Sequence, residues 1–317
     1  MIPSGKLTAR EVDLAREAIR PFLPPTRVIE ARGAGSRRIF LKLETDQPTG
    51  SFKVRGALSN LLRQSDTPAG FVAASAGNHG LGVAWAAQIS RRPEKVTIFV
   101  PESAPSAKIE KLRLYPVDLR IVGQTFDDAE RDAHVFERET GARFIHAYDD
   151  LLTAAGQGTL AGEVHEAIGD IGTLVIPVGG GGLISGNAAW LKERLKATRI
   201  VAVQPDASPA LSESIRLGKA LLEYPAGPTI ADGLSGGIGR LVFDHRALID
   251  EVMNVPEALI RAAVSSLHHA EGVRAEASGA ITVGALNLEK SHDWPQPIVC
   301  VISGGNIDQS LFEELIG

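Results

Sequence analysis

The sequence predicts an α/β protein in which mostly parallel strands are covered by helices on both faces. Three observations carry this. From residue 39 onward, short β-branched runs alternate with segments whose apolar residues recur at helical spacing. Glycine clusters stand directly after several of those runs, where the strand ends of an open α/β sheet turn toward helices. No internal repeat, heptad run or low-complexity tract competes with that pattern.

The elements follow in order. Residues 39–44 read as a strand and 54–62 as a helix. A strand at 71–75 leads through a glycine turn into a helix ending near 87. The strand at 96–100 is closed by Pro101, which has no N–H for a ladder. Then come a helix (106–114), a strand (119–122), a helix (126–138) and a strand (143–146). A helix is expected from near 158 to 168, a strand at 173–177, a helix at 183–195 and a strand at 200–203. The stretch 208–241, rich in Gly, Pro and Ser, reads as irregular surface with one short helix near 212–217. Helices at 256–269 and 277–287 precede a last strand at 299–302.

Composition narrows the function. Hydrophobic residues make up 44% and charged residues 22%, as in ordinary globular proteins. Net charge is −5 and no basic stripe is present, so neither nucleic acid nor an anionic membrane surface is an expected partner. No apolar run approaches the roughly 20 residues of a membrane span. Residues 1–20 alternate charge with short apolar groups and lack the continuous core of a secretion signal. The single cysteine, Cys300, forbids an internal disulfide and is expected to be a buried small hydrophobe. A reducing compartment, the cytoplasm, is the expected location.

Four local features carry chemistry. Lys53, in Ser51-Phe52-Lys53-Val54-Arg55-Gly56-Ala57, stands at a loop-to-helix junction. A lysine held out of water there loses basicity and becomes a usable nucleophile or base; the plain alternative is a solvated lysine opening a surface helix. Ser75-Ala76-Gly77-Asn78-His79-Gly80 joins a strand to a helix, so its amides form a cradle for a carboxylate or phosphate, or else a plain turn with an Asn cap. Gly179-Gly180-Gly181-Gly182-Leu183 repeats that geometry with no side chains in the way, or else is merely a flexible turn. It fails the dinucleotide spacing and lacks the P-loop lysine, which favours a single phosphate ester. Ser303-Gly304-Gly305-Asn306 follows the last strand, where ligands of open α/β sheets sit. An amine, an aromatic neighbour, a carboxylate cradle, a phosphate cup and a neutral hydroxyl are the parts needed to hold pyridoxal phosphate and an amino acid.

These motifs, in this order and together with Thr229-Ile230-Ala231-Asp232-Gly233, resemble the fold-type II pyridoxal-phosphate enzymes of the threonine/serine dehydratase (ammonia-lyase) and serine racemase family. The resemblance runs over nearly the whole chain. It implies two open, mostly parallel twisted sheets flanked by helices, of the tryptophan synthase β-like kind. A large cofactor-binding domain is expected at 1–65 and 150–317, and a small domain at 66–149. Lys53 is implied as the Schiff-base lysine that also moves the α-proton, with Phe52 beside the ring and Asn78 on the ring hydroxyl. Gly179, Gly180, Gly181, Gly182 and Leu183 are implied phosphate ligands through main-chain N–H groups, and Ser303 the partner of the pyridine nitrogen. Ser75, Gly77, Asn78 and His79 are implied holders of the substrate carboxylate. Glu276 and Gly233 match positions near the cofactor, without a clear role.

The implied reaction is β-elimination from a small β-hydroxy amino acid (threonine, serine or a relative), giving a 2-keto acid and ammonia. The alternative is an amino-acid racemase of the serine racemase type. Racemases carry a serine where Ala76 stands, and a methyl has no proton to give, which favours elimination. They also place a divalent cation between carboxylates at the positions of Gln204 and Ala210; both are absent, so no metal is expected. A homodimer is implied, and the chain has no room for the regulatory domain of larger biosynthetic dehydratases.

Overall fold

The computed structural model describes residues 6–32, 35–64, 69–92 and 95–317. Two sheets organise it. The larger has six strands: β1 (Val28–Glu30), β2 (Ile39–Leu43), β7 (Thr173–Pro177), β8 (Arg199–Pro205), β9 (Glu251–Val255) and β10 (Ile298–Ile302), in spatial order β1-β2-β10-β7-β8-β9. Only β1 runs antiparallel to its neighbour. The smaller sheet is wholly parallel, with order β5-β4-β3-β6 for β3 (Phe71–Ala74), β4 (Val96–Val100), β5 (Asp118–Ile121) and β6 (Arg143–Phe144). β4, β7 and β10 are buried at every residue, which is why they read as unbroken apolar runs rather than alternating ones.

Helices cover both sheets. On the large sheet, α1 (Ala9–Ile19), α6 (Leu151–Ile168) and α7 (Gly182–Arg194) share one core, and α10 (Glu257–Glu271), α11 (Ala277–Ala285) and α12 (Gln309–Ile316) the other. On the small sheet, α2 (Lys53–Arg63), α3 (Asn78–Ile89) and α4 (Ser106–Arg113) lie on one face and α5 (Phe126–Thr140) on the other. Two mostly parallel sheets with helices on both faces are what the resemblance implied. The expected domain boundary at 65/66 lies outside the described residues.

Several elements differ from the sequence reading. Helix α1 was not anticipated, although Thr8 caps it by accepting from Glu11 N–H and Ala9, Val12, Ala15 and Ile19 form its buried stripe. The short edge strands β1 and β9 and the terminal helix α12 were also not anticipated. Helix α6 opens at Leu151, capped by Asp150, well before the expected start near 158. Its residues 152–164 are all buried, so no polar face marks its period. Gly158 lies so close to Gly186 of α7 that an added Cβ would stand 2.5 Å from the Gly186 carbonyl carbon. Glycine there lets the two helix backbones touch.

Behind α2 lies a closed ionic cluster. Arg55, fully buried, donates to both oxygens of Glu44 at 2.6 and 2.9 Å and to both oxygens of Glu163 at 2.6 and 2.7 Å. Lys42 donates to Glu163 at 2.6 Å and to the Thr26 carbonyl at 2.8 Å. Thr26, Gln47 and Thr159 occupy further positions on the same groups. The arrangement ties β2, α2 and α6 together through paired, hydrogen-bonded charges.

Candidate active site

Lys53 opens α2, and Phe52 before it is the N-cap residue. The Lys53 ammonium donates to the Ala147 carbonyl at 3.0 Å and lies 5.1 Å from the Phe52 ring centre and 5.9 Å from that of Tyr148. Among the described residues no carboxylate forms an ion pair with it. Desolvation pushes its pKa down to about 8, against a weaker upward pull from Glu276. The amine thus has the character the sequence called for. Gln157 Nε2 donates to the same Ala147 carbonyl at 3.1 Å.

The tetraglycine follows β7 and opens α7, with Gly181 as N-cap at φ +94 and no side chain capping the helix. The first amides of α7 therefore have no intrahelical partner. A Cβ on Gly180 would stand 2.2 Å from the Tyr148 ring, and one on Gly182 would stand 2.5 Å from Gln157 Oε1. A Cβ on Gly179 would meet the Gly233 carbonyl at 2.7 Å, so Gly233 is brought against the cup. Only glycine fits this wall, and its polar face is main-chain N–H.

The turn after β3 has the same plan. Ser75 Oγ accepts from Gly77 N–H at 3.1 Å, and no side chain caps α3. The amides of Asn78 and His79 open that helix. The His79 ring turns inward, with Nε2 2.8 Å from the Ile145 carbonyl. Burial, then Lys53, pushes its pKa down to about 3, so the ring is neutral. What His79 offers an anion is its main-chain N–H.

The last motif closes the site. The Ser303 carbonyl accepts from Phe52 N–H at 3.0 Å, and the nearly buried Ser303 hydroxyl lies 3.5 Å from the Ser278 carbonyl. Glu276 precedes α11; its Oε1 accepts from Asn78 Nδ2 at 2.8 Å. Burial, reinforced by Asp232, raises its pKa to about 7. Asn306 Nδ2 donates to the Thr49 carbonyl and to Asn78 Oδ1, both at 2.7 Å. Gln157 Oε1, Ser51 Oγ, Thr49 Oγ1 and His79 Nδ1 are buried without a hydrogen-bond partner. Such atoms suit a polar ligand.

A model of the family described as "pyridoxal-phosphate dependent enzyme" matches residues 19–304. The chain belongs to the pyridoxal-phosphate dependent enzymes. Among relatives of this pyridoxal-phosphate enzyme, the L-threonine ammonia-lyase of Thermotoga maritima is 40% identical over 283 residues, 88% of this chain and 69% of that protein. Maize serine racemase superposes with a TM-score of 0.91 at 30% identity, over 98% of this chain and 97% of that one. The processed form of threonine deaminase isoform 2 from Solanum lycopersicum gives 0.88 at 28% identity, over 98% and 94%.

The site fits the family's cofactor on its own geometry: a desolvated amine, a glycine cradle closed to any Cβ, and uncapped helix amides for a phosphate. Other positions the sequence singled out have quieter places. Cys300 is buried in β10, its thiol pushed up to about 12 by burial. Gln204 Nε2 donates to the Val178 carbonyl at 3.2 Å and its Oε1 accepts from Leu211 N–H at 2.9 Å. It stitches the strand end before the cup to α8 (Ala210–Leu217). Among the described residues no group of three or more His, Cys, Asp or Glu side chains is placed to hold a metal. Sequence reasoning missed Gln157, and gave Asn306 and Arg55 no roles of their own. Their partners lie between 10 and 257 residues away in the chain, so local pattern carried no sign of them.

Proposed function

We propose that this enzyme is an ammonia-lyase acting on a small β-hydroxy amino acid, threonine, serine or a near relative, and yielding a 2-keto acid and ammonia. The observation that carries this reading is the meeting of Lys53 and the tetraglycine across residues 147–148. Ala147 receives the Lys53 amine, and the Tyr148 ring beside it lies on Gly180. That neighbourhood supports reading the amine and the glycine cup as the two ends of one cofactor site. The curated relatives named as threonine ammonia-lyases support the same reaction.

Bound pyridoxal phosphate supplies an electron sink for the charge left at the substrate Cα. The residues supply the rest. Lys53, lowered to about 8, takes and returns a proton at Nζ near neutral pH. Main-chain N–H groups of Asn78 and His79, with the Ser75 hydroxyl, hold the substrate carboxylate, and Gly77 gives the turn its shape. Gly179 to Leu183 would hold the phosphate through their amides, and Phe52 would pack against the ring. Ser303 would offer the pyridine nitrogen a neutral partner, which would favour elimination of the β-hydroxyl.

The likeness to maize serine racemase favours racemisation as a second reading. Against it stands Ala76, whose methyl supplies no proton. A panel of β-hydroxy amino acids, assayed for keto acid and ammonia with chiral analysis of unreacted substrate, separates the two. Keto acid and ammonia in equal amounts, with unreacted substrate keeping its configuration, is the expected result. Racemised substrate without keto acid overturns it.

We infer further a homodimer, a cytoplasmic location, no bound metal, and a division into 1–65 with 150–317 and 66–149. The division is supported by the strands: those of the small sheet all fall within 71–144. No helix among the described residues is long and apolar enough to cross a membrane.

A further inference from the structure

The side chain of Asn78 has two ends of opposite character, a carbonyl oxygen that only accepts and an amino group that only donates. Which end faces the cofactor decides whether Asn78 supports or repels an oxygen there. Glu276 does not settle the choice. With its carboxyl pushed up to about 7, it is ionised in part of the population and protonated in the rest near neutral pH. It can therefore accept from an amino group or donate to a carbonyl.

Asn306 does settle it. Thr49 presents a main-chain carbonyl, an acceptor with no proton, 2.7 Å from Asn306 Nδ2. The opposite orientation would set two oxygens against each other at that distance, so the Asn306 amide has one allowed position. Its second Nδ2 hydrogen then points to Asn78 at 2.7 Å and requires the Asn78 carbonyl oxygen there. The Asn78 amino group is left on the other side, with one hydrogen on Glu276 Oε1 at 2.8 Å and no second hydrogen bond among the described residues. The backbone holds Asn306 in register. Ser51 and Gly304 form an antiparallel bridge, and Gly305 N–H donates to the Gly50 carbonyl at 2.9 Å. Gly50, at φ +71, leaves room for the amide, since a Cβ there would stand 2.9 Å from Asn306 Oδ1.

We propose that Asn306 is a positioning residue that, anchored on the Thr49 carbonyl, fixes Asn78 as a hydrogen-bond donor toward the cofactor. This rests on the pyridoxal-phosphate reading of the site. Asn306 acts through Asn78 and through a main-chain group that no substitution of Thr49 removes.

The test is a double-mutant cycle read by cofactor affinity and by the absorbance of the lysine-bound cofactor. Asn306→Ala is expected to weaken cofactor binding about tenfold, equivalent to about 1.4 kcal/mol, and to shift the absorbance band. Asn78→Ala should produce the same shift. The double variant should match Asn78→Ala alone, because an anchor has nothing to hold once Asn78 is gone. Asn306→Leu, of nearly equal shape but without donors or acceptors, should reproduce the Asn306→Ala spectrum and decides the matter if the alanine variant does not fold. Wild-type spectrum and affinity in both Asn306 variants, or additive effects in the double variant, overturn the proposal. Failure of the underlying reading looks different: wild-type protein itself would show no imine absorbance and no borohydride label on Lys53.

Discussion

Helix α2 carries two cations two residues apart, and the fold treats them oppositely. Arg55 is sealed among two carboxylates and a threonine, and its pKa is raised by them despite burial. Lys53 is desolvated as well, but its close acceptor among the described residues is a carbonyl, and its pKa falls to about 8. Their surroundings differ in the placing of negative charge: carboxylates bond Arg55 directly, whereas Lys53 feels only a weaker pull from Glu276. A buried cation with partners is a bolt; the same helix, half a turn away, makes a reactive amine by omitting them. The motif Lys-x-Arg thus joins a chemical group to the clamp that holds its helix still.

Three experiments probe this contrast. Lys53→Ala should lower kcat by roughly a thousandfold or more and abolish borohydride labelling, while the urea midpoint stays level or rises, since an unpaired desolvated cation is lost. Retained labelling would show that the amine lies elsewhere. Arg55→Ala should destabilise the protein by about 3–5 kcal/mol in urea unfolding, because Glu44 and Glu163 are stranded. A loss below about 1 kcal/mol would mean the cluster relaxes or hydrates, and the contrast would weaken. The third effect lies in pH. Lys53 titrates near 8 folded and near 10.5 unfolded, so between those values the unfolded chain binds the extra proton and stability rises with pH. Cofactor-free wild type should gain stability across that window relative to Lys53→Ala. Parallel curves for the two proteins would refute the lowered pKa.

Much of this was legible in the sequence, for particular reasons. β4 and β7 announced themselves because strands buried on both faces are continuous apolar runs, and their Pro and Gly neighbours mark the ends. Lys53 and the tetraglycine were legible because their chemistry depends on residue type at a junction. The start of α6 was not, since a helix covered on all sides has no period to read. The ionic cluster was not, because Lys42, Glu44, Arg55 and Glu163 are ordinary charges until the fold joins them. Asp149 shows the same limit: it stands just before α6 in the chain, yet it accepts from Arg240 and Leu241 N–H and so caps α9 (Arg240–Asp244).

The carbonyl of Ala147 is held twice, by Lys53 and by Gln157. Any working cycle in which the amine swings out and comes back would otherwise strand a desolvated oxygen at each departure. With the glutamine amide on the same oxygen, the lysine leaves no orphan behind.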